Sequence, residues 1–109
     1  MYRPVGDAEL ALILASDYRS WPPRLPGQPI FYPVTNERYA AEIAERWNAR
    51  DGERGYVTRF EVRKEFADRY PIQTVGDSYH TEWWIPAADV EALNDCIVGK
   101  IEVVKTFRS

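Results

Sequence analysis

The chain has 109 residues, of which 45% are hydrophobic and 14% aromatic, enough apolar side chain for one packed domain over residues 1–109 and too much for a disordered chain. The formal net charge is −3 and no Lys/Arg run exceeds two residues, which argues against nucleic acid held by bulk charge but leaves room for one small anionic ligand. The single cysteine, Cys96, excludes an internal disulfide. No apolar run approaches the ~18 residues of a membrane span, so no membrane insertion is expected and a reducing cytoplasm is the simplest compartment.

Residues 1–5 are short, apolar and aromatic and predict an edge strand. Asp7 is placed to cap a helix whose apolar stripe is Leu10, Ile13 and Leu14. Residues 18–29 hold four of the eight prolines together with Trp21, Arg24 and Gln28, and predict an ordered loop too proline-rich for a helix. Ile30–Val34 predicts a second strand, with Pro33 marking an edge or a strand end. Thr35 is a suitable cap for the next helix, where Tyr39, Ala40, Ile43, Ala44 and Trp47 recur at helical spacing as a core stripe up to Asp51-Gly52.

From Tyr56 onward, Tyr56, Thr58, Phe60 and Val62 alternate with Val57, Arg59, Glu61 and Arg63, the pattern of a half-buried strand. A short helical turn or loop over 64–70, a strand over 72–75 and a turn at Gly76-Asp77-Ser78 follow. His80–Ile85 predicts a strand, Val90, Leu93 and Ile97 the inner stripe of a helix, and residues 100–107 a last strand entered through Gly99. Strands outnumber helices in this order. The expected class is α+β, a small mixed or antiparallel sheet with about three helices.

The standard phosphate-binding glycine motifs are absent, and one histidine with one cysteine cannot supply the usual zinc site, so no metal is expected. Cys96 reads as a small core residue. Ser16, Ser20 and Ser78 lack a recognisable elbow or neighbouring base. The unusual stretch is His80-Thr81-Glu82-Trp83-Trp84-Ile85-Pro86. Strand alternation puts His80, Glu82 and Trp84 on one face, with Thr81, Trp83 and Ile85 on the other. An acid between an imidazole and an indole suits a site that stabilises a developing positive charge. The simpler reading pairs Glu82 across strands with Arg59 or Arg63.

Tyr2–Gly6, Pro22–Pro26, Gln28–Val34, Gly55–Val62 and Trp84–Ala87 together resemble, over nearly the whole chain, a family of short bacterial proteins that carry the label "ADP-ribosylation/crystallin". The layout also resembles the ADP-ribosyltransferase superfamily. There an early strand carries an Arg or His that engages NAD, a second strand leads into a helix, and a later strand carries a Glu. Arg3, Tyr32 and Glu82 match those places. His80 stands where that superfamily usually has Gln or Glu, and Phe31-Tyr32 replaces its Ser-Thr-Ser pattern.

The resemblance implies an ADP-ribosyltransferase-like fold that binds NAD as substrate. It would transfer ADP-ribose to a protein or other acceptor, or cleave the bond to nicotinamide. Glu82 would stabilise the oxocarbenium-like transition state, by analogy with glycoside cleavage. Arg3 would offer its planar fork to a phosphate or ribose. Tyr32 or Trp84 would stack on nicotinamide, His80 would position the acceptor or act as a base, Trp21 and Arg24 would cover the dinucleotide, and Gln28 would hydrogen-bond to it. The alternative is a non-catalytic module that binds a nucleotide, or binds a protein through exposed Trp and Pro residues.

Overall fold

The computed structural model describes residues 1–109 as an α+β fold in which every strand pairing is antiparallel. Strand β1 (Tyr2–Gly6) runs directly into helix α1 (Asp7–Ala15). The proline-rich loop then leads to β2 (Ile30–Phe31), α2 (Glu37–Ile43) and a π-helical turn at Ala44–Asn48. Strand β3 (Arg54–Val62), the short helix α3 (Lys64–Ala67), β4 (Ile72–Thr74), β5 (Thr81–Trp83) and β6 (Ile85–Pro86) follow. A 3-10 turn, α4 (Val90–Asp95) and the twelve-residue β7 (Ile97–Arg108) close the chain. No helix is long and apolar enough to cross a membrane.

The main sheet has the order β1-β3-β7, and β2 pairs with β6 and β4 with β5. Val34 joins these pieces. It exchanges backbone hydrogen bonds with Tyr2 at 2.9 and 2.7 Å, while the Trp83 and Thr35 amides donate to the Pro33 and Thr81 carbonyls. The segment 33–35 therefore lies between β1 and β5. Two expectations change accordingly. Strand β1 is not an edge, because Val34 occupies its second side, and Pro33 is buried inside the assembly. The β2 ladder ends at Phe31, two residues before Pro33, whose carbonyl serves β5.

The sheet is covered on both faces, so the centre of β3 is buried on both rather than half-buried. Tyr56 and Phe60 join Val5, Ile13, Trp21, Phe31, Phe66, Ile85, Leu93 and Ile101 on one side. Val57 joins Val34, Ala40 and Ala44 on the other, beneath α2. Each large apolar side chain buried here contributes roughly 1.5–3 kcal/mol. The π-helical turn approaches β3 so closely that a Cβ on Gly55 would lie 2.1 Å from the Ala44 carbonyl oxygen. Gly6 stands opposite Gly55 in the β1–β3 register, and these two glycines give the turn a flat floor.

Caps and stripes differ in detail from the periodicity reading. Gly6 is the residue before α1, and Asp7 accepts instead from the Arg54 amide at 3.1 Å and the Tyr56 hydroxyl at 2.7 Å. Of the α1 stripe, Ile13 is buried and Leu14 exposed. Asn36, one residue after Thr35, caps α2 by accepting from the Tyr39 amide at 2.8 Å. Trp47 is 65% exposed, because the wider π-helical turn rotates it off the helical stripe, and Arg50 stacks on it at 5.2 Å. Ile97 opens β7 rather than closing the last helix. The proline-rich loop is fastened to α4 by Asn94, which accepts from the Trp21 amide and donates to the Trp21 carbonyl.

Candidate functional site

Glu82 sits in the middle of β5 and is only 8% exposed. Oε1 accepts from the Tyr39 hydroxyl at 3.0 Å, and Oε2 from the Trp84 indole N–H at 3.2 Å. No lysine, arginine or histidine forms an ion pair with it: Arg59 pairs with Glu102 instead, and Arg63 with no carboxylate. The cross-strand pairing of Glu82 with Arg59 or Arg63 is therefore absent. Burial without a counter-ion is costly unless hydrogen bonds compensate, and two neutral donors do so here. Tyr39 responds in turn. Burial, then the bond to Glu82, pushes its hydroxyl pKa up to about 12.

An open cleft of about 310 Å³ lies against this carboxylate, and Arg3, Tyr32 and Glu82 all line it. Pro4, Val34, Tyr39, Ile43 and Asn48 complete its wall. The geometry follows from the sheet: β1 presents Arg3, the segment after β2 presents Tyr32, and β5 presents Glu82, with Val34 holding the three adjacent. Tyr32 is 43% exposed and offers its ring to solvent.

Arg3 does not point a free fork into the cleft. Its Nε and Nη2 donate to the two oxygens of Glu9 at 2.7 and 2.9 Å, and Nη1 to the Tyr32 carbonyl at 3.5 Å. Its guanidinium lies 4.5 Å from the Phe31 ring centroid and 5.7 Å from that of Trp21. The Thr58 hydroxyl, fully buried, donates to the Arg3 carbonyl at 2.7 Å and fixes the backbone beneath it.

His80 stands one layer behind Glu82, in the turn before β5 rather than in the strand. Its Nδ1 accepts from the Asp77 amide at 3.0 Å, which assigns the proton to Nε2, and Nε2 then donates to Glu42 at 3.1 Å. The ring packs on Tyr39 with centroids 4.7 Å apart. Glu42 also accepts from the Tyr79 hydroxyl, and these bonds, Tyr79 first, hold the Glu42 carboxyl below the usual range. His80 reaches Glu82 only through Tyr39, so it buttresses the site rather than entering the cleft.

The remaining residues separate. Trp84 is 45% exposed and touches Glu82 through its indole N–H. Trp21 is a core residue packed between Phe31 and Phe60, with centroids at 5.3 and 5.0 Å, and does not cover the cleft. Gln28 closes the Leu25–Gln28 turn by accepting from the Leu25 amide at 3.2 Å, and it does not line the cleft. Arg24 lies against Phe31 at 5.7 Å, near Arg3 and Tyr32. Two contributors escaped the sequence reading. Tyr39 reads as core from its helical spacing, although its place in the first turn after Asn36 aims it at β5. Glu9 carries no signal in the sequence; β1 runs into α1 without a loop and brings it back over Arg3. Searches of protein-family models, of characterised proteins and of solved structures found no match to this chain.

Proposed function

We propose that the chain binds NAD or a related nucleotide with the nicotinamide-ribosyl end in the Arg3–Tyr32–Glu82 cleft, and breaks the glycosidic bond there. Supporting this is one observation above all: a nearly buried glutamate with no counter-ion forms the wall of a cleft that it shares with an exposed tyrosine ring. The bond between ribose C1′ and the nicotinamide nitrogen breaks with its electron pair moving to nicotinamide. Positive charge then develops on the ribosyl carbon and ring oxygen, which Glu82 faces. Water or an acceptor hydroxyl attacks C1′ and loses its proton, giving ADP-ribose or an ADP-ribosylated acceptor. Tyr39 and Trp84 orient the two carboxylate oxygens. Tyr32 supplies a stacking face. A volume of about 310 Å³ accommodates a ring and its ribose, at the small end of ligand sites, so the rest of the nucleotide lies along the surface.

A second reading, a module that binds without turnover, draws support from Arg3, whose fork is already committed to Glu9. Incubation with NAD, with nicotinamide release followed chromatographically and binding followed by NMR titration, separates the two. The enzyme reading expects release by the wild type and a loss of roughly 100-fold or more in Glu82→Gln with binding retained. Binding without release selects the module. Neither binding nor release refutes both.

A further inference from the structure

Arg24, unlike Arg3, has no ion pair of its own. Its Nε is buried and has no hydrogen-bond partner. Arg3 and Arg24 lie against the same Phe31 ring, at 4.5 and 5.7 Å from its centroid. One acid, Glu9, serves both, and Arg3 holds both of its oxygens. Two guanidiniums against one carboxylate leave an excess positive charge near Tyr32, which lines the cleft. Burial first, and repulsion from Arg3 second, hold the Arg24 guanidinium below the usual arginine range, and Glu9 offsets this only in part.

The loop that carries Arg24 is stiff. Leu25-Pro26-Gly27-Gln28 forms a turn with proline at its second position and Gly27 at φ +84°, a conformation that favours glycine. The Gln28 amide closes it onto the Leu25 carbonyl at 3.0 Å. Pro22 and Pro23 restrict the approach from the other side. A cation fixed in advance loses little freedom when it meets an anion.

We propose that Arg24 is the anion anchor of this protein and takes a phosphoryl group, with Arg3 contributing field rather than contact. A planar guanidinium fork suits phosphoryl oxygens, and the incoming charge relieves the Arg3–Arg24 repulsion. The inference rests on and deepens the nucleotide reading, because Arg24 neighbours Arg3 and Tyr32, which line the Glu82 cleft, and a diphosphate is the anionic part of that ligand. Phosphate binding itself requires no bond cleavage.

The test is an NMR titration of the intact chain with inorganic pyrophosphate, ADP and adenosine, each followed by amide shifts. Pyrophosphate and ADP bind the wild type and adenosine does not. Arg24→Gln weakens both anions tenfold or more, and Arg24→Lys retains part of the affinity and guards against a folding artefact. Tighter binding of ADP than of pyrophosphate assigns the anchor to nucleotides, and the reverse to free phosphate compounds; either result supports it. Absence of pyrophosphate and ADP binding, or undiminished binding by Arg24→Gln, overturns it. Pyrophosphate binding without nicotinamide release keeps the anchor and removes the enzyme reading.

Discussion

Removing the Tyr39 hydroxyl isolates the contact on which the site depends. In Tyr39→Phe the ring still packs on His80, but Glu82 Oε1 loses its donor at 3.0 Å and only Trp84 still donates to the carboxylate. Hydrogen bonds to charged groups contribute about 1.5–3 kcal/mol, and Tyr39 is partly exposed, so about 1.5 kcal/mol is expected. With an unfolding entropy of ~2.1 cal/mol/K per residue, that loss lowers Tm by about 6–7 °C. Urea and thermal unfolding at pH 7 measure it, and a cycle with Glu82→Gln assigns it: the two substitutions should couple by about 1 kcal/mol or more. Additivity within ~0.5 kcal/mol would mean that the hydroxyl and the carboxylate do not interact. The account of how Glu82 is held without a counter-ion would then be refuted.

Gly55→Ala should be among the most destabilising single substitutions in the chain, by roughly 3 kcal/mol or more, because the new Cβ meets the backbone of the π-helical turn at 2.1 Å and not a movable side chain. A urea midpoint close to that of the wild type would show that the turn does not rest on β3 as described. Alkaline pH should also weaken the fold. Tyr39 and Tyr70 both have pKa values pushed up to about 12, by burial first and then by their bonds to Glu82 and Asp89. The unfolded chain releases these protons near pH 10 and the folded chain near 12, so the stabilisation is complete below pH 10 and is lost as pH rises to 12. After allowance for solvent screening the effect is about 1 kcal/mol per tyrosine. Urea midpoints at pH 8, 10 and 11.5 measure it, and the Tyr39→Phe/Tyr70→Phe double variant should flatten the profile.

Much of the fold is legible in the sequence because it is local. The alternation over 56–63 and the helical spacing from Tyr39 to Ala44 are both visible within a dozen residues, and both elements form. What fails is set by distant contacts. Strand β1 and Pro33 look like edges until Val34 is seen between β1 and β5, and Trp47 looks like core until the π-helical turn removes it from the stripe. The site follows the same division. Glu82 stands out locally as an acid in an aromatic strand. Its principal partner is Tyr39, 43 residues earlier, and no spacing rule links the two.

The arginines carry the sharper lesson. Arg3 is the more conspicuous in sequence, on a strand in an order that resembles a nucleotide-using fold, whereas Arg24 is one charge in a proline-rich loop. A sequence cannot say which cation is already spent, because neutralisation depends on where a helix turns back. Helix α1 begins at Asp7 without a linker, and that brings Glu9 over Arg3 and satisfies it. The same placement leaves Arg24, against the same Phe31 ring, without an ion pair of its own. Charge available for a ligand is what remains after the fold has satisfied its own groups, and Glu82 in the cleft wall and Arg24 near Tyr32 are both charges that no ion pair neutralises.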